Sequence, residues 1–268
     1  MREDFLFRYT TLGVGGKTLV FVAERPEELL RCGTVILGGG SNVLAGERNL
    51  PDFVINRVAG AEFSGCKVTA YSGEQLSRLC SQATLLGLGG LEWAWGLPGT
   101  LGGAIVGNSG ANGSDISSVV KSVTVSRNGN IIGLTHDECG FCYRGSGFLP
   151  SDVIISAELN LQKRHFSEIE NNLISAKRAR ARQPKGRSAG CTFKNPPGLS
   201  MGKIIDELGL KGRRIGGAKI SEIHANFIIN DCGASPADVY ELIKLIENKT
   251  ESAFGFVPER EIKLYGDF

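Results

Sequence analysis

Short runs of apolar residues, many of them alternating with polar ones, predict a series of β-strands along the chain. Residues 128–129 are Asn-Gly, a strong signal for a two-residue hairpin turn, and the runs on either side of them alternate. The predicted strands cover 17–23, 34–37, 52–56, 67–72, 122–126, 131–134, 153–161, 225–230 and 261–265.

Longer runs with helical periodicity, bounded by terminus signals, predict the helices. Gly87 and Gly209 each end one of them, because glycine readily adopts the left-handed conformation that terminates helices. Ser235 is a predicted N-cap, with Pro236 and Asp238 in the first turn after it. The predicted helices cover 25–31, 75–86, 167–182, 200–208 and a run from 235 towards 248.

The order of these elements predicts three lobes of mixed α and β structure. The first lobe covers 1–57, the strand-rich second lobe covers 58–165, and a shift in composition near Phe166 begins the third lobe, 166–268. The last predicted strand belongs either to the third lobe or, returning along the fold, to the first.

A glycine-rich stretch at 87–115 interrupts the periodic pattern. It holds ten glycines, so we expect it to form neither an ordinary helix nor an ordinary strand. A second such stretch, TVILGGGSNVL, covers 34–44. Turns of this kind leave main-chain N–H groups pointing at a common centre, where they bind anions. The two stretches are either plain loops between strands or two cradles around one large, phosphate-bearing ligand.

The familiar nucleotide-binding motifs are absent. A GxGxxG match starting at Gly38 would need glycine at position 43, which is Val43, and no GxxxxGK[ST] occurs. The sequence therefore disfavours a Rossmann dinucleotide site and a P-loop nucleotidase.

Composition and charge exclude several classes of protein. A net charge of +2 gives no reason to expect nucleic acid or an anionic membrane as a partner. No apolar run approaches the roughly 20 residues of a membrane span, and the N-terminus lacks the apolar segment of a signal peptide. Seven cysteines, an odd number, favour reduced thiols and the cytoplasm. Cys139 and Cys142 spell CxxC without a partner pair, so we interpret them as two half-buried thiols and expect no metal.

Several single residues could carry chemistry, each with a plainer alternative. Arg144 lies in an apolar segment and could pair with a carboxylate or phosphate, or form a structural salt bridge. Cys191 lies in a turn-rich segment with basic residues and could be an acid, a nucleophile or a small buried filler. Glu261 could be a surface ion-pair partner, and His224 is most simply a core histidine. The basic cluster at 177–182 is most simply a solvated helix face.

Seven sequence blocks in order resemble the UDP-N-acetylenolpyruvoylglucosamine reductase family, also called UDP-N-acetylmuramate dehydrogenase. Any one block is weak evidence, whereas seven in register across the chain are strong. The blocks are TTLGVGG (10–16), LGGGSNVL (37–44), GLPGTLGGAIVGNSGANGSDIS (96–117), FCYRGS (141–146), SAGCTFKNP (188–196), GGAKISEIHANFIIN (216–230) and EREIKLYG (259–266).

The resemblance implies an α+β protein with an FAD-binding, vanillyl-alcohol-oxidase-like (PCMH-type) fold in two lobes and a C-terminal α/β substrate-binding domain. It implies FAD as cofactor and NADPH as cosubstrate, used to reduce UDP-N-acetylglucosamine enolpyruvate to UDP-N-acetylmuramate for peptidoglycan synthesis. The protein is then expected to be a cytoplasmic monomer that binds a UDP-sugar and neither nucleic acid nor membrane.

The same resemblance gives the glycine stretches a ligand, since their main-chain N–H groups would cradle the FAD pyrophosphate. The cofactor-binding residues implied in this way are Gly38, Gly39, Gly40, Ser41, Asn42, Val43, Gly99, Thr100, Gly102, Gly103, Asn108 and Gly110. The implied substrate-binding residues are Tyr143, Gln183, Lys194 and Asn195.

Three residues stand at the positions that match the catalytic positions of the family. Arg144 would stabilise the negative charge that develops on the substrate carboxylate, and Glu261 would assist at the same carboxylate. Cys191 would protonate the α-carbon, where most members of the family have serine. The short interval between Arg144 and Cys191 resembles the subtype without an inserted tyrosine-bearing loop.

Two other functions stay open from the residues alone. One is a flavoprotein oxidoreductase of the same fold that acts on a different hydroxy acid or alcohol. The other is a flavin-binding module without catalysis, which would have no need for Arg144, Cys191 and Glu261 together.

Overall fold

The computed structural model describes residues 1–30 and 34–268. The strands in this part of the chain are β1 (Arg2–Phe5), β2 (Lys17–Ala23), β3 (Val35–Leu37), β4 (Val43–Ala45), β5 (Phe53–Asn56), β6 (Ala61–Ser64), β7 (Lys67–Tyr71), β8 (Leu88–Gly89), β9 (Gly110–Ala111), β10 (Ser114–Asp115), β11 (Val120–Arg127), β12 (Asn130–Thr135), β13 (Asp152–Asn160), β14 (Gln162–Lys163), β15 (Arg187–Cys191), β16 (Arg214–Ile215), β17 (Ala218–Ile220), β18 (Phe227–Asn230) and β19 (Lys263–Tyr265).

Four of the five α-helices in the described residues lie where helices were predicted, and α2 was not predicted. The helix predicted at 25–31 is a single 3₁₀ turn, and its last residue, Arg31, lies outside the described residues. The α-helices are α1 (Leu76–Leu85), α2 (Leu101–Val106), α3 (Phe166–Ala181), α4 (Met201–Glu207) and α5 (Pro236–Phe254). The 3₁₀ turns cover Leu6–Arg8, Pro26–Leu29, Glu92–Ala94, Ile116–Ser118 and Asp137–Cys139. None of the described helices has both the length and the apolar character needed to cross a bilayer.

The prediction that the glycine-rich stretch contains no ordinary helix or strand is wrong, because α2 and the short strands β8 to β10 lie within it. Two glycines weaken a helix by about 1 kcal/mol each relative to alanine. Here Gly102 has a tertiary reason, since a Cβ at this residue would lie 2.8 Å from the Cβ of the buried Ser72. Close packing of the helix on the end of β7 therefore requires glycine and outweighs its poor propensity.

The chain forms two compact units, each built from separate segments. Unit 1 contains 1–20, 40–52 and 182–268, and unit 2 contains 21–39 and 53–181. The three predicted lobes, 1–57, 58–165 and 166–268, stay a prediction about how these units are subdivided.

Unit 2 is organised around an antiparallel sheet in the order β12-β11-β13-β7-β6. The predicted hairpin joins β11 to β12, with Arg127 opposite Asn130. Asn128 and Gly129 between them both have positive φ, 52° and 82°, as a type I′ turn requires. Helices α1 and α2 contribute Leu79, Leu101 and other apolar side chains to the core beside this sheet. In the same unit β3 pairs in parallel with β5.

Unit 1 contains a second antiparallel sheet, in the order β15-β18-β17-β16, whose core includes apolar residues of α4 and α5. Helix α5 begins as predicted, with a capping box in which Ser235 accepts from Asp238 N and the Asp238 carboxylate accepts from Ser235 N. Strand β19 pairs in parallel with β4, so the last strand lies beside residues 43–45.

Candidate functional site

Two glycine loops of unit 2 are in direct contact. A Cβ built on Gly39 would lie 2.6 Å from the Cα of Gly99, closer than real Cβ atoms come to backbone. A Cβ on Gly38 would collide with the Oγ1 atom of Thr100. The segments that the sequence identified separately, 38–39 and 99–100, therefore meet with no room for a side chain at either glycine.

The hydroxyl of Thr100 is the unusual polar atom of this contact. Thr100 is buried, and its Oγ1 has no hydrogen-bond partner among the described residues. A buried hydroxyl without a partner costs about 1–3 kcal/mol. The atom lies against Gly38 and 3.7 Å from where a Cβ on Gly103 would be. A ligand with acceptor oxygens, such as a diphosphate, would satisfy it.

Not every predicted cofactor residue has a main-chain donor to offer. The N–H of Gly102 donates to the carbonyl of Ser72 at 2.8 Å, and the N–H of Leu101 donates to Glu74 at 2.8 Å. The role of Gly102 that the geometry supports is close packing, whereas Gly38, Gly39 and Gly99 form the loop contact itself.

Arg144 lies in a tight turn that is fixed to the end of α2. The side-chain amide of Asn108 donates to the carbonyl of Cys142 at 2.9 Å, and the Ser146 hydroxyl donates to Val106 at 2.7 Å. The Arg144 guanidinium donates to the carbonyl of Gly110 at 2.9 Å. The structure thus brings together Arg144 and two residues predicted to bind the cofactor.

The backbone of Arg144 is itself unusual, with a φ of 55°. A positive φ is costly for a residue with a long side chain, and such conformations cluster at functional sites. Its guanidinium lies 5.7 Å from the ring centre of Tyr143, which is 57% exposed. The prediction that both CxxC thiols are half-buried is wrong, since Cys142 is exposed and Cys139 is fully buried. Burial raises the pKa of the Cys139 thiol to about 11.

In unit 1 main-chain hydrogen bonds at Thr192 join the segment that carries Cys191 to the segment that carries Glu261. Cys191 is the half-buried last residue of β15 and pairs with Phe227. The next carbonyl, that of Thr192, accepts from Glu261 N at 2.9 Å and from Ile262 N at 3.2 Å. The chain segments that carry the predicted proton donor and the predicted carboxylate are therefore joined by main-chain hydrogen bonds.

Asn226 fixes this arrangement, and sequence reasoning did not single it out. It is 2% exposed, its Oδ1 accepts from Phe193 N at 3.0 Å, and its Nδ2 donates to Phe193 O at 2.8 Å. Its own carbonyl accepts from Thr192 N at 2.8 Å. The available signal was an asparagine inside an apolar strand pattern, where an amide needs buried partners.

The predicted substrate residues of unit 1 flank the same region. Lys194 forms an ion pair with Glu259 at 2.7 Å, and its N–H donates to the Glu259 carbonyl at 2.9 Å. The Oδ1 of Asn195 accepts from Met201 N at 2.9 Å, so this side chain satisfies the first main-chain N–H of α4. Gln183 is half-buried in the segment that leads to β15.

The remaining predicted cofactor residues, Gly40 to Val43, connect to Glu261. The carbonyl of Gly40 accepts from Thr11 N at 3.0 Å, and Val43 begins β4 opposite Lys263. The side-chain amide of Asn42 donates to the Glu261 carbonyl at 3.0 Å. Ser41 lies half-buried within this turn.

Two plainer interpretations fare differently. His224 accepts from Asn226 N through Nδ1 at 3.3 Å and packs on the ring of Phe227, as a core histidine would. Burial lowers the pKa of its imidazole.

The basic cluster of α3 is not wholly a solvated face, because the Lys177 ammonium lies 5.4 Å from the ring centre of Trp95. Burial also lowers the pKa of the Arg180 guanidinium.

The sequence matches two family models. Residues 182–265 match the C-terminal domain of UDP-N-acetylenolpyruvoylglucosamine reductase, and residues 30–134 match an FAD-binding domain. The second match includes both segments of the loop contact, 38–39 and 99–100, where the orphaned Thr100 hydroxyl offers a donor to a diphosphate.

Several known proteins are similar over nearly the whole chain. UDP-N-acetylenolpyruvoylglucosamine reductase of Thermus thermophilus is 40% identical over 246 residues, covering 90% of this chain and 92% of that protein. The enzyme of that name from Chlamydia pneumoniae is 39% identical over 277 residues, covering 98% and 91%. The crystal structure of UDP-N-acetylenolpyruvylglucosamine reductase from Thermus caldophilus matches with a TM-score of 0.90 and 36% identity, covering 98% of each chain.

These comparisons confirm the predicted α+β fold with an FAD-binding part, the predicted cofactor FAD and the predicted oxidoreductase class. Because it is 40% identical to a member over 90% of its length and has the same fold, this chain belongs to the UDP-N-acetylenolpyruvoylglucosamine reductase family.

Proposed function

We propose that this protein reduces the enolpyruvyl ether of UDP-N-acetylglucosamine enolpyruvate to the lactyl ether of UDP-N-acetylmuramate, with NADPH as reductant. The observation that carries the proposal is the main-chain junction that holds Cys191 and Glu261 together at Thr192. A protein that only bound flavin would not need a thiol and a carboxylate on two segments joined in this way. We propose that the protein acts as a monomer in the cytoplasm, in the synthesis of peptidoglycan precursors.

The bound cofactor would be held by the two glycine loops around Thr100, with further contacts from Asn108 and Gly110. When bound and reduced, FAD would supply a hydride to the terminal carbon of the substrate double bond. The protein's own task is then to manage the negative charge on the α-carbon and its carboxylate, and to deliver one proton.

Arg144 is proposed to carry the electrostatic part of that task. Its planar guanidinium can bind a carboxylate through two parallel hydrogen bonds and keeps its charge throughout. The carboxyl group of Glu261, when protonated, would donate to the same carboxylate. Donors fixed in advance where charge develops lower the barrier without reorganisation during the reaction.

Cys191 is proposed to protonate the α-carbon. A thiol has an unperturbed pKa of about 8.5, so it gives up a proton far more readily than a serine hydroxyl. The thiolate left behind regains its proton from solvent. Tyr143, Gln183, Lys194 and Asn195 are proposed to bind the UDP-sugar. The interval from Arg144 to Cys191 is occupied by β13, β14, α3 and β15. We therefore propose that the UDP-sugar is bound without an inserted tyrosine-bearing loop.

The test is a visible spectrum of the purified protein, followed by two anaerobic additions. NADPH is expected to bleach the flavin bands, and UDP-N-acetylglucosamine enolpyruvate is expected to restore them. Bleaching without recovery would favour an oxidoreductase with a different substrate. Absence of flavin, even after FAD is added, would overturn the proposal.

A further inference from the structure

A buried ion pair in unit 1 ties helix α5 to the residue just before Glu261. Glu247 lies on α5 and is 4% exposed. Its two carboxylate oxygens accept from the Nε and the Nη2 of Arg260, the latter at 2.8 Å. A two-bond fork of this kind fixes orientation as well as distance.

The environment of the pair keeps it charged. Burial would raise the pKa of the Glu247 carboxyl, but hydrogen bonds from Arg260 and from Lys244 outweigh burial and hold the pKa below its usual range. The Arg260 guanidinium also lies 5.6 Å from the ring centre of Tyr240. Buried ion pairs add little net stability compared with apolar packing, so a role in positioning is a better account of this one.

The main chain around Arg260 is the segment that meets the end of β15. Arg260 forms a bridge with Phe193, and the Glu259 carbonyl accepts from Lys194 N at 2.9 Å. Glu261 N donates to Thr192 O at 2.9 Å, directly beside Cys191. A shift at Arg260 would therefore move Glu261 relative to Cys191.

We propose that Glu247 is a positioning residue for the reaction: through Arg260 it sets the spacing between Glu261 and Cys191. The inference rests on the proposed function, because it assumes that these two residues act on the enolpyruvyl group. It assigns to Glu247 an effect on the step that consumes this substrate and none on the step that consumes NADPH.

The experiment measures the two half-reactions separately by anaerobic stopped-flow spectroscopy on the flavin-loaded protein. In Glu247→Gln we expect flavin bleaching by NADPH at the wild-type rate. We expect recovery with UDP-N-acetylglucosamine enolpyruvate to slow by about 10- to 100-fold, the loss typical of small misplacements of reacting groups. Lys244→Gln is the matched control, because it removes the other cation on the same carboxylate and leaves the fork to Arg260 intact.

Amide hydrogen exchange gives a second readout that needs neither flavin nor substrate. The peptide covering 259–263 is expected to exchange faster in Glu247→Gln than in wild type, because the N–H groups of Glu261 and Ile262 depend on the anchored segment. The same peptide is expected to be unchanged in Lys244→Gln.

The outcomes are separable. If wild-type flavin is not restored by the substrate, the proposed function fails. If wild type recovers and Glu247→Gln recovers as fast, or loses both half-reactions equally, or behaves like Lys244→Gln, the positioning role is overturned. Should Glu247→Gln fail to fold, Arg260→Lys keeps the charge but not the fork, and is expected to show the same selective loss.

Discussion

At the scale of single residues, the contact between Gly39 and Gly99 gives the most direct test of the proposed cofactor site. Gly39→Ala would place a methyl group 2.6 Å from the Cα of Gly99, so the backbone must move. We expect less flavin in the purified variant and a loss of about 1–3 kcal/mol in the free energy of unfolding, as for other overpacked sites. Absorbance ratio and chemical denaturation measure the two effects. The control is Gly133→Ala, where a Cβ meets no atom within 4 Å.

The orphaned hydroxyl of Thr100 gives a prediction in which two effects have opposite signs. Thr100→Val removes a buried unsatisfied hydroxyl, so the protein without flavin should unfold at a higher temperature. Its dissociation constant for FAD should rise by about 10-fold, the value of one good hydrogen bond. Thr250→Val is the matched control, because Thr250 also has a buried Oγ1 without a partner among the described residues and lies on α5. The Thr250→Val variant should gain stability with no change in FAD binding. Equal FAD affinity in Thr100→Val and wild type would show that the Thr100 hydroxyl does not contact FAD.

Replacing Cys191 separates proton donation from flavin reduction. Cys191→Ser is expected to keep activity, because a hydroxyl can donate from the same position. Cys191→Ala is expected to lose turnover by about 100-fold or more, the usual contribution of general acid catalysis, while NADPH still bleaches the flavin. Normal recovery of the alanine variant with substrate would show that another group donates the proton.

Residue identity was predictable where the backbone demands it. Glycines at 38, 39 and 99 could be singled out from their density, because no other residue permits so close an approach of two main chains. Asn226 could not be assigned a role, because its function depends on Phe193, a partner 33 residues away that only the fold brings near. The role of Glu247 was hidden for the same reason, since on α5 it looks like any helix glutamate.

At the scale of elements, caps and hairpin turns were predictable because their signals are local. The N-cap at Ser235 and the Asn128-Gly129 turn were both found from a few neighbouring residues. Helix α2 was missed, since LGGAIV has poor helix propensity and is stabilised by packing against Ser72. Caps and hairpin turns depend on residues that are neighbours in the sequence, whereas α2 depends on a tertiary contact.

The capping box of α5 gives a prediction at this scale. Ser235→Ala removes the oxygen that accepts from Asp238 N at 3.1 Å, so the free energy of unfolding should fall by about 1 kcal/mol. Urea denaturation measures it. Ser175→Ala on α3, where the hydroxyl is exposed and bonds only within its helix, should change it by less than about 0.5 kcal/mol. Equal losses in the two variants would mean that the cap contributes nothing specific.

At the scale of the whole molecule, the interleaving of segments could not be predicted from sequence order. Residues 40–52 join the C-terminal segment in unit 1, and this depends on the pairing of β4 with β19. Neither strand carries a sequence signal that identifies its partner, because long-range strand pairing depends on how well whole surfaces fit together. The family resemblance supplied the fold class, which periodicity alone did not.

Acid should destabilise the protein as a whole. Hydrogen bonds and neighbouring cations lower the pKa values of several carboxyl groups in both units, namely those of Asp4, Asp152, Glu158, Asp231 and Asp238. Groups with a lowered pKa stabilise the folded state above their unfolded values of about 4, and this contribution is lost as pH falls through the folded values. Burial lowers the pKa of His224, so its unfolded form binds protons first and stability also falls below about pH 6.5. Unfolding free energy measured from pH 8 to 3 should decline in both windows, and His224→Gln should remove only the upper one.

The parallel pairing of β4 with β19 has a consequence for synthesis on the ribosome. Chains grow at about 5–20 residues per second, so β4 emerges roughly 10–40 s before its partner 220 residues later (263 minus 43). Unit 2 is complete at Ala181, whereas unit 1 also needs residues 182–268 and cannot close until they have left the exit tunnel. A nascent chain whose synthesis stops within 182–268 therefore lacks a finished unit 1, although all residues of unit 2 are already present.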